Sequence, residues 1–268
     1  MKSRAETVAN GFILKNRISI PVTALIILST SVLLYFIIPS PDTSVLFIMG
    51  VCSAIYFCRF IYIYRIAAKL NDILEKECDP ELFTSVFQLL ISRNAFRHQT
   101  TSVSLNVALG LNLQGKFQQA GNLLQEINVN TKPPIQKLFY LSVYSACAHA
   151  KRDSYTVEWC LWQALHIAGT QRRSPRVSRY SSKLINILNL YLAENNKQYD
   201  VALEIANEML ISAKLPIERV SASFYIAKQL FHKGDCSSAK AYCEYVIQNG
   251  NKLHCVVLAK ELLVKYGN

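Results

Sequence analysis

Two unbroken apolar runs fill most of the first 64 residues, and nothing later in the chain resembles them. Ile18–Ile38 has no charged side chain, and Ser44–Tyr64 has one, Arg59, near its far end. Each run has 21 residues, about 31 Å of helix at ~1.5 Å per residue. That length matches a bilayer hydrocarbon core of roughly 30 Å. Only Pro39–Thr43 separates the runs, and its two prolines suit a tight turn because they fix φ and cannot donate to a helix ladder. The pattern predicts two transmembrane helices, 18–38 and 44–64, paired as a hairpin. A signal peptide has a shorter apolar stretch of about 7–15 residues. A soluble core hairpin of this length is also out of keeping with ordinary core helices.

Lys and Arg beside the runs set the expected orientation. The tail, residues 1–17, holds Lys2, Arg4, Lys15 and Arg17; the turn holds none; Arg65, Lys69 and Lys76 follow the second run. Both termini are therefore expected in the cytoplasm, with the chain a multi-pass protein of the cell membrane. Arg59 lies close enough to the cytoplasmic end to snorkel to the headgroups, and neither run offers it an acid. Gly50 and Ala54 have the small-xxx-small spacing that permits close helix approach, which predicts packing within the hairpin.

From residue 65 onward the chain holds 24 Lys and Arg against 16 Asp and Glu. A basic domain suits an anionic inner leaflet. Nucleic acid is not expected as a partner, since no nucleic-acid motif accompanies the charge. The eight cysteines form no C-x-x-C pair, and with five scattered histidines they predict buried reduced thiols. No metal and no cofactor is expected.

The soluble part reads as helix after helix. Ile66, Leu70, Ile73 and Leu74 share one face of residues 65–78, a stalk continuous with the second span. Asp79-Pro80-Glu81 then forms a helix start: a cap, a proline at the first position and an acid for the dipole. Leu82, Phe83, Val86, Leu89 and Leu90 are the apolar set of the new helix. From about residue 102 a longer unit recurs. Phe117, Tyr199 and Cys236 each follow a turn and are followed three positions on by Ala120, Ala202 and Ala239, where two helices of a hairpin come close. Tyr155 anchors a fourth copy in which Glu158 replaces the alanine, so that hairpin must be looser or out of register. The anchors are 38, 44 and 37 residues apart.

Over residues 102–248 this pattern resembles the tetratricopeptide-repeat (TPR) superfamily, whose helix–turn–helix unit is about 34 residues. The resemblance implies an all-α chain in which residues 80–268 form an α-solenoid of TPR-like repeats, with Lys252–Tyr266 as the helix that caps the stack. The family's aromatic positions in the first helix are mostly unmatched. The order of anchor and repeats also resembles small uncharacterised membrane proteins of Gram-positive bacteria. The family binds peptides on its concave face, which maps here to Leu105, Leu109, Tyr140, Val143, Ile187, Tyr191, Phe224 and Lys228. Such a lining suits an amphipathic helix or an extended apolar segment. The same residues could equally be ordinary core, or cover the stalk.

Two further features carry chemistry. Arg172, Arg173, Arg176, Arg179 and Lys183 occur with no acid between them, the last three at helical spacing after Ser174-Pro175. Anionic lipid headgroups are the natural partner of such a stripe on a tethered domain; a solvated helix end is the plainer reading. Trp159 and Trp162, with His166 a turn later, are expected to fill the core of the second hairpin. There is no phosphate loop, G-x-S-x-G, H-E-x-x-H or dinucleotide fingerprint, so no catalytic residue is assigned and an enzyme is not expected. The expected function is a membrane-anchored scaffold for protein–protein interaction at the inner face of the membrane. The alternatives are a sensor or accessory subunit that signals through the stalk, and an enzyme of unfamiliar type.

Overall fold

The computed structural model describes residues 3–37, 41–93 and 100–266, which are helix and turn with no strand among them. The expected all-α class is what the chain adopts. It divides into two compact units, Met1–Asp72 and Ile73–Asn268.

The first unit holds α1, Arg4–Ile37, and most of α2, Pro41–Glu75. Within it, Arg4–Leu34 is long and apolar enough to cross a membrane, and its apolar window is not buried. The helix starts well before residue 18 because Ser3 and Glu6 form a capping box. Glu6 N–H donates to Ser3 Oγ at 3.2 Å, and Ser3 N–H to Glu6 Oε2 at 3.0 Å. The expected basic tail is thus helical, with Ala5, Ala9 and Phe12 on a buried face. Residues 38–40 of the expected turn lie outside the described residues. Pro41–Thr43, expected in that turn, instead open α2, a proline at a helix start losing no intrahelical bond. Among the described residues nothing lies within 4 Å of where a Cβ on Gly50 would sit. Arg59 Nε donates to Ser19 Oγ on α1 at 3.4 Å.

The second unit opens as its sequence predicts. Asp79 Oδ1 accepts from Leu82 N–H at 2.9 Å and caps α3, Pro80–Ser92. Four helical hairpins follow: α4 and α5 (Thr100–Leu113, Phe117–Gln125), α6 and α7 (Pro134–Ala150, Ser154–Thr170), α8 and α9 (Pro175–Asn195, Tyr199–Ser212), and α10 and α11 (Pro216–Lys233, Cys236–Asn249). The last helix is α12, His254–Tyr266. All four hairpin turns are built alike. Gly115, Arg152, Lys197 and Gly234 have φ of 79°, 57°, 58° and 83°, each two residues before the second helix. The next N–H reaches back five residues in every case: Lys116 to Leu111, Asp153 to Ala148, Gln198 to Ala193 and Asp235 to Leu230, at 2.8–3.0 Å. This is the Schellman closure of a helix end.

Ala120, Ala202 and Ala239 are fully buried where the two helices of a hairpin meet. In the second copy α7 starts at Ser154, one residue before the expected anchor, so Val157 takes the alanine's place and Glu158 points out. That hairpin is out of register by one. Gly110 lets α4 lie close on α3, since a Cβ there would come within 2.2 Å of Thr84 Oγ1.

The ends of this unit meet. Lys252 N–H donates to Cys78 O at 3.3 Å, and Asn251 Nδ2 to Glu77 O at 2.8 Å. Lys252 Nζ lies 3.1 Å from Glu81 and 3.4 Å from Asp79. Cys78 and Leu113 share one core with Val220, Phe224, Leu253 and Val256. Phe117 meets His254 edge-on at 5.7 Å. The helix expected to cap an open stack instead seats its first turn against the beginning of the unit.

Candidate functional site

The residues expected to line a groove are packed to different degrees. Leu105, Val143, Tyr191 and Phe224 are buried; Leu109, Tyr140, Ile187 and Lys228 are half-buried. Phe224 belongs to the core at the closure, while Tyr191, with the half-buried Tyr140 and Ile187, sits in the core of α6, α7 and α8.

The most organised polar chemistry lies at the C-terminal ends of the first helices, at residues not singled out from sequence except Tyr191 and Lys228. Glu194 of α8 is nearly enclosed, its side chain 5% exposed. Its Oε2 lies 3.0 Å from His149 Nε2 of α6 and accepts from Lys228 Nζ of α10 at 2.9 Å. Its Oε1 accepts from Gln229 Nε2. His149 Nδ1 lies 3.1 Å from Asn195 Oδ1, and Asn195 Nδ2 donates to Ser154 Oγ at 3.1 Å. The imidazole stacks on Tyr191, with centroids 4.2 Å apart and planes 3° from parallel. One carboxylate thereby ties three helices together.

Burial alone would push the Glu194 carboxyl up, but the hydrogen bond from His149 and the Lys228 ammonium outweigh it and hold it below the usual carboxylate range. Burial pushes the Tyr191 hydroxyl up to about 12 despite a hydrogen bond from Tyr225, and burial also raises the Tyr225 hydroxyl well above its ordinary value. The thiols of Cys160 and Cys255 are pushed up to about 12, and that of Cys243 to about 11, in each case chiefly by burial. These groups keep their protons at neutral pH, so they serve as packing rather than as nucleophiles. The carboxylate has all its donors in place and acts as a structural clasp.

The sequence did carry a signal for this clasp. Glu194 and Lys228 are 34 residues apart, and Glu194 and Gln229 are 35. Lys183–Glu218 and Asn112–Cys147 are also 35 apart, and Gln136–Ser102 are 34. Partners across α4 and α6 and across α8 and α10 lie 34–35 residues apart, while His149 and Asn195, across α6 and α8, lie 46 apart; a search for opposite charges at the shorter separation finds Glu194–Lys228 and Lys183–Glu218.

Comparison with protein-family models, with curated proteins and with solved structures gives no match.

The basic stripe survives in part. Arg172, Arg173, Arg176 and Arg179 are exposed, the first two in the concave turn Gly169–Ser174 that joins α7 to α8. Lys183 is exposed but donates to Glu218, which turns it toward α10. The tryptophans depart from expectation. Trp162 is 72% exposed and Trp159 41%. The inward face of α7 is Val157, Cys160, Ala164 and Ile167; Trp162 faces out, and Trp159 meets Tyr144 of α6 edge-on at 6.3 Å.

Proposed function

We propose that the chain is a membrane-anchored scaffold that holds a protein partner at the inner face of the membrane. In this reading α1 and α2 cross the bilayer as a hairpin, both termini lie in the cytoplasm, and the second unit is a TPR-like array wound tightly enough for its ends to meet. The four turns of one geometry, each followed by a second helix, support a repeated helical hairpin. The positive-inside pattern supports the orientation.

The observation that carries the interaction reading is the placement of large apolar side chains on the outside of a domain with a locked interior. Ile211 is 87% exposed at the end of α9, and Leu210, Ile211, Tyr242 and Tyr245 line a cleft together with Arg219. Exposed apolar clusters beside polar residues mark contact surfaces. A tether confines the domain to two dimensions and raises the effective concentration of whatever it holds. A photo-crosslinker at Ile211 in the full chain, expressed in its own membranes, is expected to give discrete adducts with another protein. Adducts with lipid or with the chain itself alone would end the scaffold reading. Alkaline carbonate should leave the chain in the membrane pellet, and its release would end the anchor reading.

A sensor that signals through the stalk is a second reading, favoured by the unbroken run of α2 from Pro41 to Glu75.

A further inference from the structure

The outer face of α7 and the basic turn after it have properties that a protein-binding cleft does not need. Tyr155, Trp159, Trp162 and His166 fall at i, i+4, i+7 and i+11, one stripe along the helix, with Leu165 beside it. Tyr155 is 81% exposed and Trp162 72%. Leaving rings of this size in water forgoes the burial that usually pulls them into a core. The stripe runs down α7 to Gly169, where the turn holding Arg172 and Arg173 begins, and Arg176 and Arg179 follow in the first turns of α8. Glu158 is the one acid on α7. Two arginines at a helix N-terminus oppose the helix dipole, so the four cations sit where the fold itself gains nothing from them.

We infer that this surface rests on the bilayer: the aromatic stripe of α7 enters the headgroup region while Arg172, Arg173, Arg176 and Arg179 meet anionic lipid. Tryptophan and tyrosine favour the membrane–water interface because one end of each is apolar and the other polar. An amphipathic helix with aromatics on one side and arginines at its border is the form that lies in the interface plane. Charge complementarity selects an anionic surface, and α1 of the same chain, long and apolar enough to cross a membrane, brings one within reach. The contact would add a second attachment to the tether and hold the domain flat. Lys183 is not part of it, because Glu218 already engages its ammonium.

The inference rests on the anchored reading above but fails separately from it. Trp159 and Trp162 are the only tryptophans in the chain, so tryptophan emission, excited at the red edge where the tyrosines do not absorb, reports on this face alone. The full chain is reconstituted in vesicles of phosphatidylcholine, or of phosphatidylcholine with phosphatidylglycerol, carrying lipid brominated near the headgroup end of its acyl chains. Trp159→Phe isolates the emission of Trp162. Strong quenching is expected in the anionic vesicles and weak quenching in the neutral ones. Each arginine changed to Gln should weaken the contact about fivefold at low salt, and the quadruple variant should return to the neutral-vesicle level, as should wild type in molar salt. Emission that stays accessible to iodide and unquenched by bromolipid in anionic vesicles would overturn the inference. So would equal quenching in both vesicle types, or quenching abolished by an oligonucleotide competitor, which would assign the arginines to nucleic acid. Release by carbonate with quenching retained at neutral pH would break the anchor and leave the surface contact standing.

Discussion

The first helices of the four hairpins and their second helices invert the usual placement of polar and apolar groups. The first helices α6, α8 and α10 turn His149, Glu194, Lys228 and Gln229 toward one another in the interior. The second helices α7 and α9 set Tyr155, Trp162 and Ile211 out in solvent. A fully partnered polar group fixes which helices sit together, something interchangeable apolar contacts do less well. An exposed ring or branched aliphatic chain contributes little to the fold and is available for something else. The inner row holds the shape, and the outer row is where contacts are to be sought.

The largest expected effect lies on the inner side. Glu194→Ala leaves the Lys228 ammonium without its carboxylate and should cost about 3 kcal/mol or more, read by urea denaturation of the full chain in mild detergent. Trp162→Ala should stay within about 0.5 kcal/mol. Equal costs would erase the distinction between the two rows. Next in size is the turn at the closure. Gly115 has φ +79°, and a Cβ there would come within 2.6 Å of the His254 ring. Gly115→Ala should therefore destabilise by about 2 kcal/mol, and by more than Gly234→Ala, which has the same strain but open space around it. Lys197→Gly occupies the matching place in the α8–α9 turn and should have the opposite sign, a gain of about 1 kcal/mol. A loss there would show that the four turns are not equivalent.

The clasp also has a pH signature. The folded pKa of Glu194 lies below its ordinary value, so its contribution is fully present above the unfolded pKa and is lost as pH falls through the folded one. The stability gap between wild type and Glu194→Gln should be constant near neutrality and narrow only on acidification below the usual carboxylate range. Smallest of all is Lys183→Gln. Its pair with Glu218 is solvent-exposed on the lysine side, and about 0.5 kcal/mol is expected.

Local chemistry in this chain was legible and long-range chemistry was not. Asp79 and Ser174 cap the helices their sequence predicts, and Ala120, Ala202 and Ala239 are buried where hairpins must come close. The α7 register was off by one because Tyr155 resembles the other anchors while the helix begins at Ser154. The tryptophans were misassigned for a related reason: α7 has two apolar faces, and periodicity cannot say which one turns inward. Ring closure is the furthest from local pattern. It depends on pairs such as Asn251 and Glu77, 174 residues apart, which no local pattern connects. Of the expected groove residues only Phe224 belongs to the core where the ends of the second unit meet.

The meeting of the two ends of the second unit is the feature that most separates this arrangement from an open stack. Azidophenylalanine in place of Phe117 puts a crosslinker 5.7 Å from His254 in the full chain in its own membranes. The closed arrangement predicts an intramolecular adduct between the peptide containing residue 117 and the one containing residue 254. Adducts confined to α4 and α6, with none to α12, would mean the stack is open and its inner face is free to bind.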